Sequence, residues 1–281
     1  MDEFFKNIFA VLVLYNEQLE KTNTFLSLKK AIPQGFKLNL FIYDNSPVRQ
    51  NVANIDSKKF NLDYHHDQSN SGVSKAYNFG AEIATNNGQE WLLILDQDTT
   101  FSKNLFIEYF DSVQNNIDIS LFAPVLRMKD GAVLSPCKFT YYGKHLSSID
   151  SGIESFSNSS PVNSGILVKT QVFNKVGGYN ENVPLDLSDH QFIKRFKQAN
   201  KYYFIINSEG IQNFSAIEDN LDKQINRFKY YCLGIYNFET QSSFTKFMMV
   251  FFLILKMLKK TVTYKSIHFL KILLLTKFSK P

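Results

Sequence analysis

The sequence has little cysteine and no long apolar segment. Its 281 residues include two cysteines, Cys137 and Cys232, which are too few and too far apart for a disulfide framework or a cysteine metal site. We expect both to be buried thiols in a reducing compartment. The apolar run at 247–255 is too short to cross a bilayer, since a spanning helix needs about 20 residues. The amino terminus lacks a signal-peptide pattern, so we expect a cytoplasmic protein.

Acidic residues are missing from the last part of the chain. The segment from Thr245 to Pro281 has eight lysines and no Asp or Glu, whereas the rest of the chain is slightly acidic. This distribution argues against nucleic acid as a partner, and basic apolar segments are typical of helices that lie on anionic membranes. We therefore predict a domain at 1–240 and a helical tail at 241–281 that binds the cytosolic membrane face. A tail that packs on the domain or in a homodimer is the alternative.

Strand-like and helical patterns alternate along the first hundred residues. Apolar runs at 8–14, 37–43 and 62–66 predict strands, and the spacing of apolar residues over 18–31 predicts a helix. The run at 91–95 is wholly apolar, which is typical of a strand buried on both faces. Strand–helix–strand alternation predicts an α/β fold, with a mostly parallel central sheet flanked by helices.

Two carboxylates follow the fourth predicted strand. Asp96 and Asp98 are separated by one residue, so an extended backbone places both on one side, at the sheet edge where ligands bind. Two hard oxygen donors suit Mn²⁺ or Mg²⁺. The same stretch fits the Asp-x-Asp-x-Thr of haloacid-dehalogenase-like phosphatases, in which the first Asp is a nucleophile. A polar turn with solvated acids is a third interpretation. Asp44 ends the second strand, either as an Asx turn or as an acceptor for a nucleoside.

Four elements in this order resemble the inverting family 2 glycosyltransferases of GT-A fold, especially the rhamnosyltransferase-like branch. They are a strand ending at Tyr15 and Asn16, a strand ending at Asp44, a loop with Asn70 and Gly72, and the turn Asp96, Gln97 and Asp98. The resemblance covers roughly residues 7–235. It implies a GT-A fold and transfer of one sugar from a UDP- or dTDP-sugar, such as dTDP-rhamnose. The acceptor would be a glycan or lipid-linked saccharide in cell-surface polysaccharide biosynthesis.

The resemblance also implies roles for individual residues. The donor would be bound by residues at the strand ends and in the loop, namely Tyr15, Asn16, Asp44, Asn70, Gly72, Asp96, Gln97 and Asp98. Asp98 and Asp96 would hold Mn²⁺ or Mg²⁺. Ser164, Gly165 and Asp186 would contact the acceptor. Asp189 falls on the position of the catalytic base, although an Asp before an apolar helix is also a good helix cap.

Two positions depart from the family pattern. Gln191 stands where the family often has an acid, and Asn213 stands where many members have a metal-binding His. These departures leave open a non-catalytic, membrane-bound partner of an active transferase. The phosphatase motif normally follows the first strand of its domain, whereas here three predicted strands precede it.

Overall fold

The computed structural model describes residues 1–53, 55, 58–212 and 220–278. The strands are β1 Ile8–Leu14, β2 Leu38–Asp44, β3 Phe60–His66, β4 Trp91–Asp96, β5 Thr99–Phe101, β6 Leu121–Arg127, β7 Val133–Ser135, β8 Lys138–Phe139, β9 Gly143–Lys144, β10 Gly152–Ser155, β11 Ile166–Lys169 and β12 Tyr202–Gln212. The helices are α1 Asp2–Lys6, α2 Asn23–Ala31, α3 Val73–Asn86, α4 Leu105–Asn115, α5 Thr170–Lys175, α6 Ser188–Phe196, α7 Leu221–Asn237, α8 Ser243–Tyr264 and α9 His268–Phe278.

A mixed, mostly parallel sheet forms the centre of the molecule. Its strand order is β10-β12-β6-β11-β4-β1-β2-β3, with β5 added to β12 and β7 to β6. The first four strands are parallel to one another, and β12 is parallel to β6. β11 runs antiparallel between β4 and β6, which brings the segment before β11 to the carboxyl end of β4.

The register of the parallel strands brings the predicted carboxylates to one edge. Asp44 lies opposite Leu14, and Asp96 lies opposite Val13. Both side chains therefore leave the sheet at the ends of β2 and β4, on either side of β1. This confirms that the two acidic positions share the carboxyl edge of the sheet.

Apolar side chains alternate between two layers that cover the sheet. Along β1, Ile8 and Leu12 face the layer that includes α2 and α4, whereas Val11 faces the layer that includes α3, α5 and α6. A Cβ on Gly80 of α3 would lie 2.4 Å from Val11 Cγ2, so this helix approaches β1 more closely than a side chain would allow.

The helix predicted over 18–31 is shorter than expected. Its α-helical part begins at Asn23, because Thr22 is the cap and its Oγ1 accepts a hydrogen bond from Phe25 N at 3.3 Å. A 3₁₀ turn at Leu19–Lys21 precedes it. The capping residue therefore sets the start of the helix, not the first apolar position.

The carboxyl-terminal helices pack against α7. Phe228 of α7, Met249 and Leu253 of α8, and Phe269 of α9 belong to one buried cluster. Lys246 caps the end of α7, because its ammonium donates to three backbone carbonyls at 2.7–3.2 Å. Among the described helices, none is both long and apolar enough to cross a bilayer. The boundary near residue 240 stays a prediction.

Candidate active site

Two hydroxyl side chains hold the turn between β4 and β5 that carries the Asp-x-Asp sequence. Thr24 Oγ1 donates to Asp96 O at 2.5 Å and accepts from Thr99 N at 3.1 Å. Ser164 Oγ accepts from Asp96 N at 3.3 Å and from the Thr99 hydroxyl at 2.8 Å. Ser164, predicted to contact the acceptor, thus lies buried beneath the turn and fixes its backbone.

The two carboxylates of this turn point to the same side, as the strand geometry predicts. One amide group bridges them: Gln212 Nε2 donates to Asp96 Oδ2 at 3.3 Å and to Asp98 Oδ1 at 3.2 Å. The buried Tyr77 hydroxyl donates to Asp96 Oδ1 at 2.7 Å. Tyr77 and Gln212 are therefore site residues that sequence reasoning did not identify.

The electrostatics of this pair favour a bound cation. Burial raises the pKa of Asp98 to about 7, and the neighbouring Asp96 charge adds to the shift. Burial and the Asp189 charge likewise raise the pKa of Asp96, although the Tyr77 hydrogen bond acts in the opposite direction. Two desolvated carboxylates that repel each other would be stabilised by a positive charge between them.

The donor set suits a hard divalent cation that keeps open positions. Gln212 Oε1 is buried and has no hydrogen-bond partner within the described part of the chain. Asp96 and Asp98 add carboxylate oxygens on the same side of the turn. No group of three or more His, Cys, Asp or Glu side chains among the described residues could hold a metal alone. Mg²⁺ and similar ions use one or two carboxylates together with substrate phosphates, which fits these residues. Asn213 lies outside the described residues.

Gln97, between the two acids, faces the end of β1. Its Oε1 accepts from Tyr15 N at 2.7 Å, and its Nε2 donates to Tyr15 O at 3.1 Å. Asn16 adopts a left-handed backbone with φ 53°, and its N–H donates to Ser46 Oγ at 2.8 Å. The Tyr15 side chain is 44% exposed at this edge. The predicted donor residues Tyr15, Asn16 and Gln97 are thus brought together.

Asp44 lies fully buried at the end of β2. Its Oδ1 accepts from Ser46 N at 2.9 Å, which is the Asx turn predicted as one alternative. Its Oδ2 accepts from the Tyr64 hydroxyl at 2.7 Å. Each oxygen therefore already has one partner, and a nucleoside contact would use a remaining lone pair.

Asp67 organises the loop that contains Asn70. Its carboxylate accepts from Ser69 N at 2.9 Å, from Ser71 N at 3.2 Å and from the Tyr43 hydroxyl at 2.9 Å. The Ser69 and Ser71 hydroxyls donate to it as well. Burial alone would raise the pKa of Asp67, but these hydrogen bonds hold it well below its usual range. Asn70 has φ 50° in the loop thus ordered.

Gly72 brings the predicted donor loop against the segment that leads to Asp186. Its φ of 93° is unfavourable for other residues, and a Cβ here would lie 2.4 Å from Pro184 O. Val73 N donates to Pro184 O at 2.8 Å, and Ser74 Oγ donates to Val183 O at 2.5 Å. The two predicted substrate-binding segments are therefore in direct contact.

Asp189 lies in the first turn of α6. The cap position is Leu187, with φ 73°, and no side chain caps this helix. The alternative of Asp189 as a helix cap is therefore not what the structure shows. Its Oδ1 accepts from His190 N at 2.7 Å. Its charge contributes to the raised pKa of Asp96, after burial.

Asp186 forms an ion pair with the first half of α7. Its Oδ1 accepts from Arg227 Nη2 at 3.0 Å, whereas its buried Oδ2 has no hydrogen-bond partner in the described residues. A Cβ on Gly234 would lie 2.4 Å from Asp186 O, so α7 packs directly behind this segment. Asp186 therefore presents one unpaired oxygen beside the predicted base.

Gly165 has a packing role next to the site. Its φ is 85°, its N–H donates to Ile94 O at 2.8 Å, and a Cβ would lie 2.7 Å from Pro124 Cγ. Its carbonyl accepts from the buried Tyr109 hydroxyl. The structure thus gives Gly165 no free polar group toward an acceptor, and that contact stays a prediction.

Gln191 explains one departure from the family pattern. It is fully buried, its Nε2 donates to Glu239 Oε2 at 2.9 Å, and its Oε1 accepts from Glu239 N at 2.6 Å. Arg195 forms an ion pair with the same carboxylate. An amide supplies both a donor and an acceptor, which a carboxylate could not do, so Gln191 links α6 to the chain after α7.

A short hairpin covers the residue after the predicted base. Phe139 of β8 stacks on the His190 ring, with ring centroids 3.9 Å apart. Burial lowers the pKa of His190, and its Nδ1 is buried without a hydrogen-bond partner among the described residues. On the other side of the hairpin, Tyr141 and Tyr142 contact Phe252 of α8. The hairpin thus connects α6 with the tail.

Comparisons with solved structures identify the fold. The chain is similar to GalNAc-T7 with UDP, GalNAc and Mn²⁺, with TM-score 0.58 and 12% identity over 80% of this chain and 47% of that one. It is similar to Staphylococcus aureus TarS, with TM-score 0.55 and 16% identity over 88% of this chain and 43% of that one. An amino-terminal portion of TarS in complex with UDP-GlcNAc gives TM-score 0.52 and 15% identity, with coverages of 88% and 71%. The chain has the GT-A fold predicted from the sequence.

Sequence comparison then gives the family. Residues 9–177 match glycosyl transferase family 2. The chain is 26% identical over 191 residues to the dTDP-rhamnosyl transferase RfbF of Shigella flexneri, which is 67% of this chain and 62% of that protein. It thus spans less than two thirds of this curated relative. The chain belongs to glycosyl transferase family 2 and is rhamnosyltransferase-like, which confirms the predicted resemblance and replaces the phosphatase interpretation.

Proposed function

We propose that the protein is an inverting glycosyltransferase. It transfers one sugar from a UDP- or dTDP-sugar, with dTDP-rhamnose the first donor to test, to a glycan or lipid-linked saccharide of a cell-surface polysaccharide. The observation that carries this proposal is the pair of carboxylates Asp96 and Asp98 at the sheet edge, which Gln212 bridges. The rhamnosyl transferase relative and the UDP complexes of the structural neighbours support a nucleotide-sugar donor.

Asp98 and Asp96 would hold the metal ion, with Gln212 Oε1 near them. A bound Mn²⁺ or Mg²⁺ would offset the charge that develops on the leaving nucleotide diphosphate. The hydroxyl of Tyr77 and the amide of Gln212 keep both carboxylates oriented before substrate arrives, which limits reorganisation during the reaction.

The nucleoside would lie along the ends of β1 and β2. The exposed Tyr15 ring offers an apolar face. Asp44 is fully buried in this structure, so its hydrogen bond to the base or ribose would require a local rearrangement that exposes the carboxylate. Asn16 and the loop with Asn70 and Gly72 would border the nucleotide from either side. These residues already share one edge, so binding would require little further backbone movement.

Asp189 would accept the proton of the acceptor hydroxyl as that oxygen attacks the anomeric carbon opposite the leaving nucleotide. Its Oδ1 is occupied by His190 N, which leaves Oδ2 for the substrate. Asp186 would contact the acceptor as the resemblance implies, and because its Oδ2 is buried in this structure, that contact requires the Asp186 segment to open. Ser164 and Gly165 would act by fixing the backbone of the Asp-x-Asp turn.

Calorimetric titration with UDP and dTDP, with and without Mn²⁺ or Mg²⁺, tests the donor site. We expect metal-dependent binding of one nucleotide and its loss in Asp98→Ala. The exposed carboxylate of Asp63 on β3 provides a control, and Asp63→Ala should bind as the unchanged protein does. Absence of binding of either nucleotide under all these conditions would refute a UDP- or dTDP-sugar donor.

The variant Asp189→Asn separates an enzyme from a non-catalytic partner of a transferase. The amide keeps the shape of the side chain but cannot take up the proton. We expect unchanged nucleotide affinity and a loss of transfer to a saccharide acceptor by about 10²-fold or more. Unchanged transfer by this variant would contradict the assignment of Asp189 as the base.

We further propose that the tail binds the cytosolic face of a membrane as a peripheral contact. The outer side of α8 exposes large apolar side chains, namely Phe247, Phe251, Leu255, Leu258 and Val262. Lys259, Lys265 and Lys271 are exposed near them, whereas Lys246, Lys256 and Lys260 turn toward α7. Apolar side chains flanked by lysines suit the surface of an anionic bilayer.

Co-sedimentation with vesicles tests this contact. We expect binding to vesicles with about 30% anionic lipid, which mimic an anionic leaflet. Binding to neutral vesicles should be weaker. Phe251→Ser should weaken binding, whereas Ile117→Ser, which changes an exposed apolar residue outside the tail, should not. Dimerisation through the same face, seen by analytical ultracentrifugation without vesicle binding, would favour the homodimer instead.

A further inference from the structure

The helix that carries the proposed base begins at a strained residue. Leu187, at the cap position of α6, has φ 73°, which costs a leucine free energy, and its side chain makes no capping hydrogen bond. Asp189 lies two residues further on. Because strained backbone persists only where the surrounding contacts hold it, the position of the Asp189 carboxylate depends on what anchors α6.

Glu239, in the chain that follows α7, anchors α6 from one side. Its Oε2 accepts from Gln191 Nε2 and from Arg195 Nε, both at 2.9 Å. Its Oε1 accepts from Arg195 Nη2 and, at 3.1 Å, from Asn180 Nδ2. Its own N–H donates to Gln191 Oε1 at 2.6 Å. One residue outside the helix therefore binds two side chains of α6, one turn apart, and the segment that precedes the helix.

Arg195 extends this network to the turn that follows α5. Its Nη1 donates to Gly177 O at 2.7 Å and to Gly178 O at 3.0 Å, while its Nε and Nη2 bind Glu239. The hydrogen bonds from Arg195 lower the pKa of Glu239, so the side chain is a charged carboxylate at neutral pH. Three separate segments are thus joined at one carboxylate.

The network is specific in geometry although it is open to solvent. The Glu239 side chain is 48% exposed, which limits what its ion pair contributes to the free energy of unfolding. Its pairing with Arg195 is nevertheless bidentate. The buried amide of Gln191 has both of its polar groups on Glu239. These contacts therefore set the orientation of α6 more than they stabilise the whole fold.

The acid and the amide of this network are exchanged relative to the family pattern. The family often has an acid at position 191, one helical turn before Arg195, and Glu and Arg side chains pair at that spacing on a helix. This chain has Gln191 there, and Arg195 pairs with Glu239 instead. Glu239 lies beyond residues 9–177, the part of the chain that matches the family.

We infer that Glu239 is a positioning residue for the proposed base Asp189. It supplies, from the chain after α7, the carboxylate that family members often carry at position 191, and so it fixes the helix on which the base lies. This inference rests on the proposed transferase function. The partners of Glu239 lie on α6 or before it, so a change at Glu239 should alter the rate of the reaction more than the binding of the donor.

Hydrogen–deuterium exchange of the full chain tests the anchoring without any substrate. Glu239→Gln replaces one carboxylate oxygen by an N–H group, which faces N–H donors whichever way the amide turns, so α6 should open more often. We expect the amides of 188–196 to exchange about tenfold faster, as for the loss of one charge-assisted hydrogen bond. Unchanged exchange in α6 would overturn the inference.

Hydrolysis of dTDP-rhamnose with Mn²⁺, followed by the release of dTDP, tests the effect on the reaction, with water in place of the acceptor hydroxyl. We expect Glu239→Gln to lower kcat about tenfold, because small displacements of a reacting group have large effects on rate. The KM for dTDP-rhamnose should stay within about twofold, since the donor residues at the strand ends keep their contacts. A raised KM with unchanged kcat would assign Glu239 to substrate binding and overturn the inference.

The double variant Gln191→Glu/Glu239→Gln is the most specific test, because it returns the carboxylate to α6. Gln191→Glu alone sets two carboxylates against each other and should lower kcat about tenfold. In the double variant, the carboxylate at position 191 can pair with Arg195, and the amide at position 239 can donate to it. We expect kcat to return to within about threefold of the unchanged protein. A double variant in which the two losses multiply would contradict the exchange of acid and amide.

Glu209→Gln is the matched control, because Glu209 makes the same bidentate contact with Arg127 between β12 and β6. It should leave the exchange of α6 and kcat within about twofold. An equal loss in this control would indicate a general effect of removing an ion pair and would overturn the inference.

Asp189→Asn reports separately on the transferase function. If this variant releases dTDP as fast as the unchanged protein, the assignment of the base fails. If Asp189→Asn is inactive and Glu239→Gln keeps the full rate, the base stands and the positioning role is wrong. Loss in both variants, with rescue by the double variant, supports both assignments.

Discussion

Replacing Gly72 by alanine tests the contact between the two segments that are predicted to bind substrate. Gly72 has φ 93° and ψ 173°, a backbone region that is nearly restricted to glycine. The added Cβ would lie 2.4 Å from Pro184 O and 2.7 Å from Pro184 Cβ. Backbone on both sides of this contact is hydrogen-bonded, because Val73 N donates to Pro184 O. The clash therefore cannot be relieved by rotation of a side chain.

The expected loss of stability combines two contributions. Backbone strain at this φ and ψ costs about 1–3 kcal/mol, and forcing a methyl group into a packed contact costs about 1–3 kcal/mol more. Gly88 provides the matched comparison, since its φ is 67° but a Cβ there would have no neighbour within 4 Å. Gly88→Ala should cost about 1–2 kcal/mol, from backbone strain alone.

Urea denaturation of both variants measures the difference. The effect of alanine on the unfolded chain is the same in both and cancels. We expect Gly72→Ala to lower the free energy of unfolding by about 2–6 kcal/mol, clearly more than Gly88→Ala. At a temperature where it remains folded, it should also lose affinity for nucleotide, because Asn70 and the Pro184 segment shift together. Equal destabilisation in the two variants would refute the proposed contact.

Three other substitutions test the site and its supports. Tyr77→Phe should destabilise the protein by about 1.5–3 kcal/mol and weaken metal-dependent nucleotide binding, whereas Tyr109→Phe, whose hydroxyl binds a carbonyl, should affect stability alone. Gln191→Leu should lower the free energy of unfolding by about 1–3 kcal/mol, because the Glu239 backbone and carboxylate lose their partners. Asp67 has a folded-state pKa below its unfolded value, so its stabilisation is present above about pH 4 and is lost as the pH falls. Asp67→Asn should therefore cost about 1 kcal/mol at pH 7, allowing for its partial exposure, and urea midpoints of variant and parent should converge in acid.

Local patterns predict the acidic edge of the sheet but not its supports. The strand period and the parallel order place Asp96 and Asp98 on one side without any knowledge of packing. Tyr77 lies 19 residues before Asp96, and Gln212 lies 116 residues after it. Only the fold brings these side chains to the two acids. Nothing in either local sequence indicates this chemistry.

Some hydrogen bonds of side chains to nearby backbone can be predicted from the sequence, whereas contacts between distant residues cannot. The Ser residues two and four positions after Asp67 are a known pattern for side chain to backbone hydrogen bonds, and Thr22 is a recognisable helix cap. From the sequence, Gln191 suggests that an acidic residue of the family has been lost. Its hydrogen-bond partner Glu239 lies 48 residues later, so the sequence does not reveal its packing role. A departure from a family pattern can therefore reflect packing between two segments.

The hairpin of β8 and β9 has a consequence for truncation experiments. Phe139 of the hairpin stacks on His190, which follows the proposed base Asp189, and Tyr142 contacts Phe252 of the tail. Removal of the chain after residue 240 would take away this support, and would also uncover the buried face of α7. Loss of transfer in a shortened protein would then follow from a disordered acceptor side, even in a detergent solution without any membrane. Point changes on the outer side of α8, such as Phe251→Ser, are the variants that separate the proposed attachment to a lipid surface from support of α6.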